Sequence, residues 1–202
     1  MDTERGMCMA KRCIITIGRE YGSGGREIGE KLAEKLGISF YDRQFLEMAS
    51  LETGHSEDVL SEQDEIAEKN YYPYRTENLS EELFRIQSRI MIEKAKSESC
   101  VIVGRCSDIV LKDFANVAHI FIYAHEDDRV RRVMARHNLD EVKARKMMKK
   151  TEKIRRSYYQ YFTDCDWGDR ENKDLLINSS VTGIDQSVDV IIAYLKIRGF
   201  ID

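Results

Sequence analysis

The chain has 202 residues, of which 42% are hydrophobic and 34% charged, a composition typical of one folded domain with a sizeable core and not of a disordered chain. A formal net charge of −4 argues against a general nucleic-acid-binding protein, and no apolar run is long enough to span a membrane. Five cysteines without a C-x-x-C pair argue against a disulfide framework and a zinc site. The first residues lack an apolar segment of signal-peptide length, and we expect a cytoplasmic protein.

Short apolar runs alternate with helical patterns along the chain. We predict strands at residues 13–17, 38–41, 100–103, 117–123 and 174–178. Helices are predicted at residues 26–36, 42–54, 56–69, 78–98, 126–137, 140–159 and 184–198. This alternation predicts parallel βαβ units with right-handed crossovers, in which ligands bind at the carboxyl ends of the strands.

A glycine-rich loop joins the first predicted strand to the first predicted helix. Gly22, Ser23, Gly24 and Gly25 form this loop, and Arg26 follows it. Glycines let successive backbone N–H groups turn toward a phosphate, and the start of a helix adds unpaired N–H groups and positive dipole charge. We interpret these five residues as a phosphate-binding site. The alternative is a tight turn without a ligand.

The loop departs from the usual phosphate-loop pattern G-x-x-x-x-G-K-[ST]. Arg19 stands in the place of the first glycine, Gly25 replaces the lysine, and Arg26 replaces the hydroxyl residue. The lysine normally meets the outer phosphates as a point charge. We predict that Arg19 and Arg26 supply the missing positive charge.

Polar residues also follow the second and third predicted strands. Asp42 comes directly after the second strand, and Gly104 and Arg105 come directly after the third. The planar guanidinium of Arg105 suits a phosphate or a carboxylate at the ligand edge of the sheet. Arg105 could instead be a surface residue that pairs with a carboxylate such as Asp108.

Positive charge is concentrated between residues 129 and 156, where twelve bases accompany three acids. Phosphoryl transfer requires positive charge where negative charge spreads in the transition state, and a closing lid can deliver it. Arg132, Arg155 and Arg156 lie in this segment. A solvated pair of basic helices, or a helix that binds nucleic acid, would give a similar composition.

Three stretches resemble the cytidylate-kinase-like family of phosphate-loop nucleoside monophosphate kinases: REYGSGGREIGEKLAEKLGISFYD, VIVGRCSD and YYQYFTDCDWGDRENKDLLINSS. The resemblance implies one kinase-like domain over residues 1–202. It also implies a three-layer α/β phosphate-loop NTPase core with a five-stranded parallel sheet in the order 2-3-1-4-5. The core would comprise residues 12–41, 99–139 and 170–200, with a helical acceptor-binding insertion at 42–98 and a lid at 140–169.

The same resemblance implies transfer of the ATP γ-phosphate to CMP or dCMP with Mg²⁺, and nucleotide substrates with no nucleic-acid or membrane partner. Arg105 matches the arginine that holds the acceptor phosphate, and we assign Asp42 and Arg132 to the substrate as well. Arg155 and Arg156 fall in the region of the lid arginines, and the geometry of a helix lets only one of two neighbours reach the site. Asp108 is the candidate magnesium ligand. The predicted catalytic residues are Arg19, Arg26, Arg155 and Arg156.

Two alternatives stay open. Because the loop lysine is missing, the chain could be a non-catalytic nucleotide- or phosphate-binding protein that retains the kinase fold. It could also be a kinase for another small acceptor. The sequence does not indicate the oligomeric state.

Overall fold

A parallel sheet of five strands organises residues 12–54 and 77–202, the parts of the chain that the computed structural model describes. The predicted helix at residues 56–69 lies outside these ranges. The spatial order of the strands is β2-β3-β1-β4-β5, as predicted. The strands are β1 (Ile14–Arg19), β2 (Ser39–Tyr41), β3 (Cys100–Val103), β4 (Val117–Tyr123) and β5 (Leu175–Asn178).

Seven helices connect and cover these strands within the described ranges. They are α1 (Gly25–Leu36), α2 (Gln44–Thr53), α3 (Glu77–Ser97), α4 (Ser107–Val110), α5 (Glu126–His137), α6 (Glu141–Thr163) and α7 (Ser179–Ile197). A 3₁₀ turn at Arg170–Asn172 precedes β5. The sequence did not predict α4, because four residues are too few to show a helical period.

The last helix begins earlier than its predicted start at residue 184. The side chain of Asn178 accepts a hydrogen bond from the Ser180 N–H at 3.1 Å, which caps a first helical turn. Gly183, with φ of 74°, then interrupts the helix before the predicted segment begins. The periodicity therefore located only the part after Gly183.

Alternate residues of β1 supply the cores on the two faces of the sheet. Ile15 and Ile17 pack in the cluster that includes Leu32 of α1, whereas Ile14 packs in the cluster that includes Phe45 of α2. All five of these side chains are fully buried. A strand covered on both faces reads as a continuous apolar run, and this layering confirms the predicted three-layer α/β architecture.

The register of the central strands determines which residues meet at the ligand edge. Ile17 of β1 lies opposite Val103 of β3, and Arg19 lies opposite Ile122 of β4. The chain therefore leaves β1 after Arg19 close to the point where it leaves β3 at Gly104. The carboxyl ends of these strands meet at one edge of the sheet, as expected for a ligand site.

Within the described ranges, no helix is both long enough and apolar enough to cross a membrane.

Candidate active site

The glycine loop presents the start of α1 at the carboxyl edge of the sheet. Gly22 and Gly24 have φ values of 82° and 80°, which a glycine adopts without strain. The first helical hydrogen bond runs from the Ile28 N–H to the Gly24 carbonyl at 3.0 Å. The N–H groups of the first helical turn, at residues 25–27, therefore precede the hydrogen-bond ladder. Such groups, with the positive end of the helix dipole, favour an anion.

Ser23 holds the shape of this loop from inside. Its side chain is fully buried and donates a hydrogen bond to the Glu20 carbonyl at 2.9 Å. The same hydroxyl lies 3.4 Å from the N–H of Gly25, which donates to it. Ser23 is thus built into the turn, and its one proton is already used. This is a different environment from that of a hydroxyl residue that binds a metal.

Two side chains donate hydrogen bonds to the carbonyl oxygens of the loop. Arg132 donates from Nη1 to the Ser23 carbonyl at 3.0 Å, and Ser179 donates to the same oxygen at 2.6 Å. Arg132 also reaches the Gly22 carbonyl at 3.4 Å. The structure therefore places Arg132 against the loop. It does not line the pocket at this edge of the sheet. Its predicted role toward the substrate stays a prediction.

A pocket of about 730 Å³ opens beside the loop at the carboxyl edge of the sheet. It brings together five of the residues predicted for the site: Arg19, Asp42, Arg105, Asp108 and Arg155. The other predicted residues, which are Gly22, Ser23, Gly24, Gly25, Arg26, Arg132 and Arg156, are not in its lining. The pocket is rich in positive charge, as a site for phosphates requires.

Asp42 contacts both arginines that are predicted to replace the loop lysine. Its Oδ2 accepts a hydrogen bond from Arg26 Nε at 2.9 Å, and its Oδ1 lies 3.6 Å from Arg19 Nη2. Arg26 also pairs with Glu30 at 3.0 Å and lies over the ring of Phe40. The side chain of Arg26 is 44% exposed, whereas that of Arg19 is 20% exposed and lines the pocket. The geometry thus distinguishes two arginines that the sequence left equivalent.

Arg105 lies in a left-handed turn between β3 and α4. Gly104, Arg105 and Cys106 have φ values of 79°, 59° and 52° in succession. Left-handed residues other than glycine are uncommon, and they cluster at functional sites where the surrounding structure fixes them. Here the turn directs the chain sharply away from β3 while Arg105 and Cys106 both line the pocket.

Asp108 forms a buried ion pair with Lys173. Its Oδ2 accepts hydrogen bonds from Lys173 Nζ and, at 2.8 Å, from the Tyr159 hydroxyl. Burial, together with the charge of Asp108, raises the pKa of Tyr159, which therefore stays a protonated donor. The positive charge of Lys173 compensates the carboxylate, an environment that fits a magnesium ligand poorly. The described residues contain no cluster of three His, Cys, Asp or Glu side chains able to hold a metal.

Helix α6, which lies in the segment predicted to be a lid, forms one wall of the pocket. Arg155 donates from Nη1 to the Arg19 carbonyl at 3.1 Å, and its guanidinium lies 5.3 Å from the centre of the Tyr21 ring. Tyr21 in turn lies 2.9 Å from His137 Nε2 through its hydroxyl. Arg156 is not in the pocket lining, and its guanidinium lies 5.3 Å from the centre of the ring of Trp167, which is in the lining. Of these two neighbouring arginines, only Arg155 lines the pocket.

The sequence reasoning missed a row of lysines on the same helix. Lys143, Lys146 and Lys150 line the pocket together with Arg155. Their spacing of three and four residues places them on one face of α6, the signal that could have found them. From the sequence these lysines are only part of a basic segment, because tertiary packing decides which face of α6 points into the pocket. Lys173 was missed as well, since nothing near it in the chain indicates its partner.

Comparison with known proteins gives the family. The family model described as "Cytidylate kinase-like family" matches residues 14–181. A curated cytidylate kinase from Pyrobaculum calidifontis is 21% identical over 182 residues, which is 90% of this chain and 92% of that protein.

Solved structures show the same fold. An uncharacterized protein from Eubacterium ventriosum is 33% identical, with a TM-score of 0.73 over 92% of this chain and 99% of its own. A shikimate kinase from Acinetobacter baumannii in complex with shikimate is 17% identical, with a TM-score of 0.52 over 94% and 96% of the two chains. One from Bacteroides thetaiotaomicron is 15% identical, with a TM-score of 0.55 over 91% and 98%. The arginine-lined pocket beside a glycine loop thus lies in a phosphate-loop fold, and the chain belongs to the cytidylate kinase-like family.

Proposed function

We propose that this protein transfers the γ-phosphoryl group of ATP to a nucleoside monophosphate, and that CMP or dCMP is the acceptor. Membership of the cytidylate kinase-like family supports a kinase-type phosphotransferase. The single observation that carries the proposal is the convergence of Arg19, Arg105 and Arg155 on one pocket from β1, from the turn after β3, and from the lid. Three arginines from separate elements suit two phosphate groups and the charge that moves between them.

Each arginine has a distinct role in this proposal. The glycine loop and Arg19 bind the triphosphate, which supplies the phosphoryl group. Arg105 binds the phosphate of the acceptor and orients it toward the triphosphate, because a guanidinium can hold a phosphate through two parallel hydrogen bonds. Arg155 stabilises the charge that spreads over the phosphoryl oxygens in the transition state. The covering helix α6 excludes water, which limits hydrolysis.

Magnesium accompanies ATP in the predicted reaction. Because Asp108 is paired with Lys173, we propose no side chain as a ligand of this metal. The row of Lys143, Lys146 and Lys150 adds positive charge on the lid side of the pocket. These lysines would balance the phosphates whether or not a metal ion is bound.

The test is an assay of ADP release with ATP and Mg²⁺ across CMP, dCMP, UMP, AMP and GMP. We expect acceptor-dependent release that is highest with CMP or dCMP. Shikimate is included among the acceptors because a kinase for another small acceptor is one of the open hypotheses. Release with a different acceptor would overturn the cytidine assignment and retain the reaction type.

A non-catalytic nucleotide-binding protein is the second candidate, and Gly25 in the place of the lysine is the observation that favours it. ATP binding by calorimetry without ADP release for any acceptor would establish it. The proposed reaction would then be wrong.

A further inference from the structure

Two positions of the glycine loop are exchanged relative to the lysine-containing pattern. Where G-x-x-x-x-G-K begins with glycine, this chain has Arg19, and where the pattern ends with lysine, it has Gly25. Taken from the sequence alone, these are two separate departures. In the structure, the side chain of Arg19 occupies the space that a side chain at position 25 would need.

The stem of Arg19 fills the space beside Gly25. A Cβ atom built on Gly25 would lie 2.5 Å from the Cβ and 3.1 Å from the Cγ of Arg19, closer than side chains pack. Gly25 is the first residue of α1 and is not among the glycines with positive φ, so its backbone conformation does not require glycine. Arg19 therefore leaves no room for a side chain at position 25, and the Cβ of Ile122, at 3.2 Å, adds to the crowding.

The head of Arg19 reaches a second glycine. A Cβ atom on Gly104 would collide with Nη1 of Arg19. The arginine thus runs from the start of α1 to the turn that carries Arg105, between two glycines that leave room for it. Its guanidinium lines the pocket and stays close to Asp42.

We propose that Arg19 is the phosphate-binding cation of this loop and replaces the missing lysine, and that Gly25 is its necessary counterpart. The ligand class is the polyphosphate chain of a nucleoside triphosphate, so this inference rests on the proposed function. We do not assign this role to Arg26, because its side chain is 44% exposed, is not in the pocket lining and pairs with Asp42 and Glu30. A guanidinium is planar and permanently charged, which suits bidentate contact with phosphate oxygens where lysine offers a point charge.

The exchange can be reversed by mutation. Arg19→Met keeps an unbranched stem in the space beside Gly25 and removes the charge. Gly25→Lys restores the lysine while Arg19 still occupies its space. The double variant Arg19→Gly with Gly25→Lys recreates the usual spacing of glycine and lysine. Lys35→Ala is the matched control, because it removes a cation from the far end of the same helix, where Lys35 pairs with Asp189.

The measurements are the Kd for ATP with Mg²⁺ by calorimetry and the Tm of each ligand-free variant. We expect Arg19→Met to weaken ATP about 10-fold to 100-fold, the range for loss of a charge-assisted hydrogen bond, with the Tm nearly unchanged. Gly25→Lys should lower the Tm and give no gain in affinity. The double variant should bind ATP within a few-fold of the wild type, a non-additivity that indicates direct contact between the two positions.

Three results would overturn the inference: wild-type affinity in Arg19→Met, tighter binding at unchanged Tm in Gly25→Lys, or a double variant that binds no better than Arg19→Met. If Gly25→Lys does not fold, Arg19→Met and the double variant still decide the question. The proposed reaction can fail separately, because a wild type that binds ATP through Arg19 but releases no ADP would refute only the reaction. A wild type that does not bind ATP would refute both.

Discussion

Arg155 of α6 donates a hydrogen bond to the main-chain oxygen of Arg19, at 3.1 Å, and so joins α6 to the last residue of β1. Both residues line the pocket, and Asp42 lies 3.6 Å from the guanidinium of Arg19. The hydrogen bond therefore holds Arg155 at the end of β1, beside the proposed phosphate site.

Arg155→Ala should reduce kcat by about 10³-fold, the scale on which arginine fingers act, because its contact strengthens as the phosphoryl group transfers. Affinity for ATP should change little. Arg156→Ala provides the neighbouring comparison, and a small loss is expected because Arg156 is not in the pocket lining. Steady-state kinetics with a separate measurement of ATP binding checks both. Full kcat in Arg155→Ala would mean that another residue stabilises the transition state.

Arg105→Ala should raise the KM for the acceptor about 10-fold to 100-fold through loss of a charge-assisted contact with its phosphate. Alanine is also strained at a φ of 59°, so Arg105→Gly is the companion variant. Both variants should show the same rise in KM, but the Tm should be higher for glycine than for alanine. An unchanged KM in the glycine variant would remove Arg105 from acceptor binding.

Lys173→Met should destabilise the fold by about 3–5 kcal/mol, because it leaves the carboxylate of Asp108 buried without its cation. The two side chains are only 2% and 9% exposed. Urea denaturation gives the free energy of unfolding, and Lys112→Met is the control at an exposed lysine. Adding Asp108→Leu to Lys173→Met should restore part of the loss. A double variant as unstable as the single one would show that the cost does not come from the unpaired charge.

Stability should fall in acid partly through Glu98, which accepts hydrogen bonds from Ser39 and, at 2.7 Å, from the Tyr41 hydroxyl. The hydrogen bond from Ser39 is the main cause that lowers the pKa of Glu98, with further lowering from Tyr41 and Lys94 and an opposing effect of burial. A carboxyl with a lowered pKa stabilises the fold above its unfolded value, near pH ~4.3, and this stability is lost as the pH falls through the folded pKa.

Glu98→Gln should therefore lower the Tm at pH 7 and make it less dependent on pH below about 4.3. Glu93→Gln is the control, because Glu93 is exposed and its ion pair with Arg89, at 3.5 Å, lies at the surface. Thermal unfolding between neutral and acidic pH measures both. Parallel curves for the wild type and Glu98→Gln would show that this carboxyl does not contribute to acid unfolding.

The positions of the strands and of the pocket could be predicted because they depend on local signals, whereas the order of the strands was predicted from the family resemblance. The run before Gly18 is apolar because β1 is buried on both faces, and the glycine loop follows it directly. Gly104 and Arg105 follow β3 in the same way, so their meeting at one edge follows from parallel pairing.

Long-range contacts could not be predicted in this way. The pairing of Asp108 with Lys173 joins residues 65 positions apart, and no periodicity encodes it. Arg19 lines the pocket and Arg26 does not, although Asp42 contacts both. This difference depends on how the side chains pack. Sequence spacing identified which residues carry charge near the phosphate site, and only packing determined which of them enter the pocket.

Tyr21 connects the start of the glycine loop to α6. It comes directly before the glycine loop, yet its hydroxyl lies 3.6 Å from the sulfur of Met147 on α6 and its ring faces Arg155. In the proposed function α6 is a lid, and a nucleotide that binds at the loop would then favour the position of α6 in which these contacts form. By reciprocity, lid docking strengthens nucleotide binding by the same factor, so the two events share one coupling free energy. Fast product release requires that coupling to be small, and it is shared between the contacts of Tyr21 and the hydrogen bond from Arg155 to the Arg19 carbonyl.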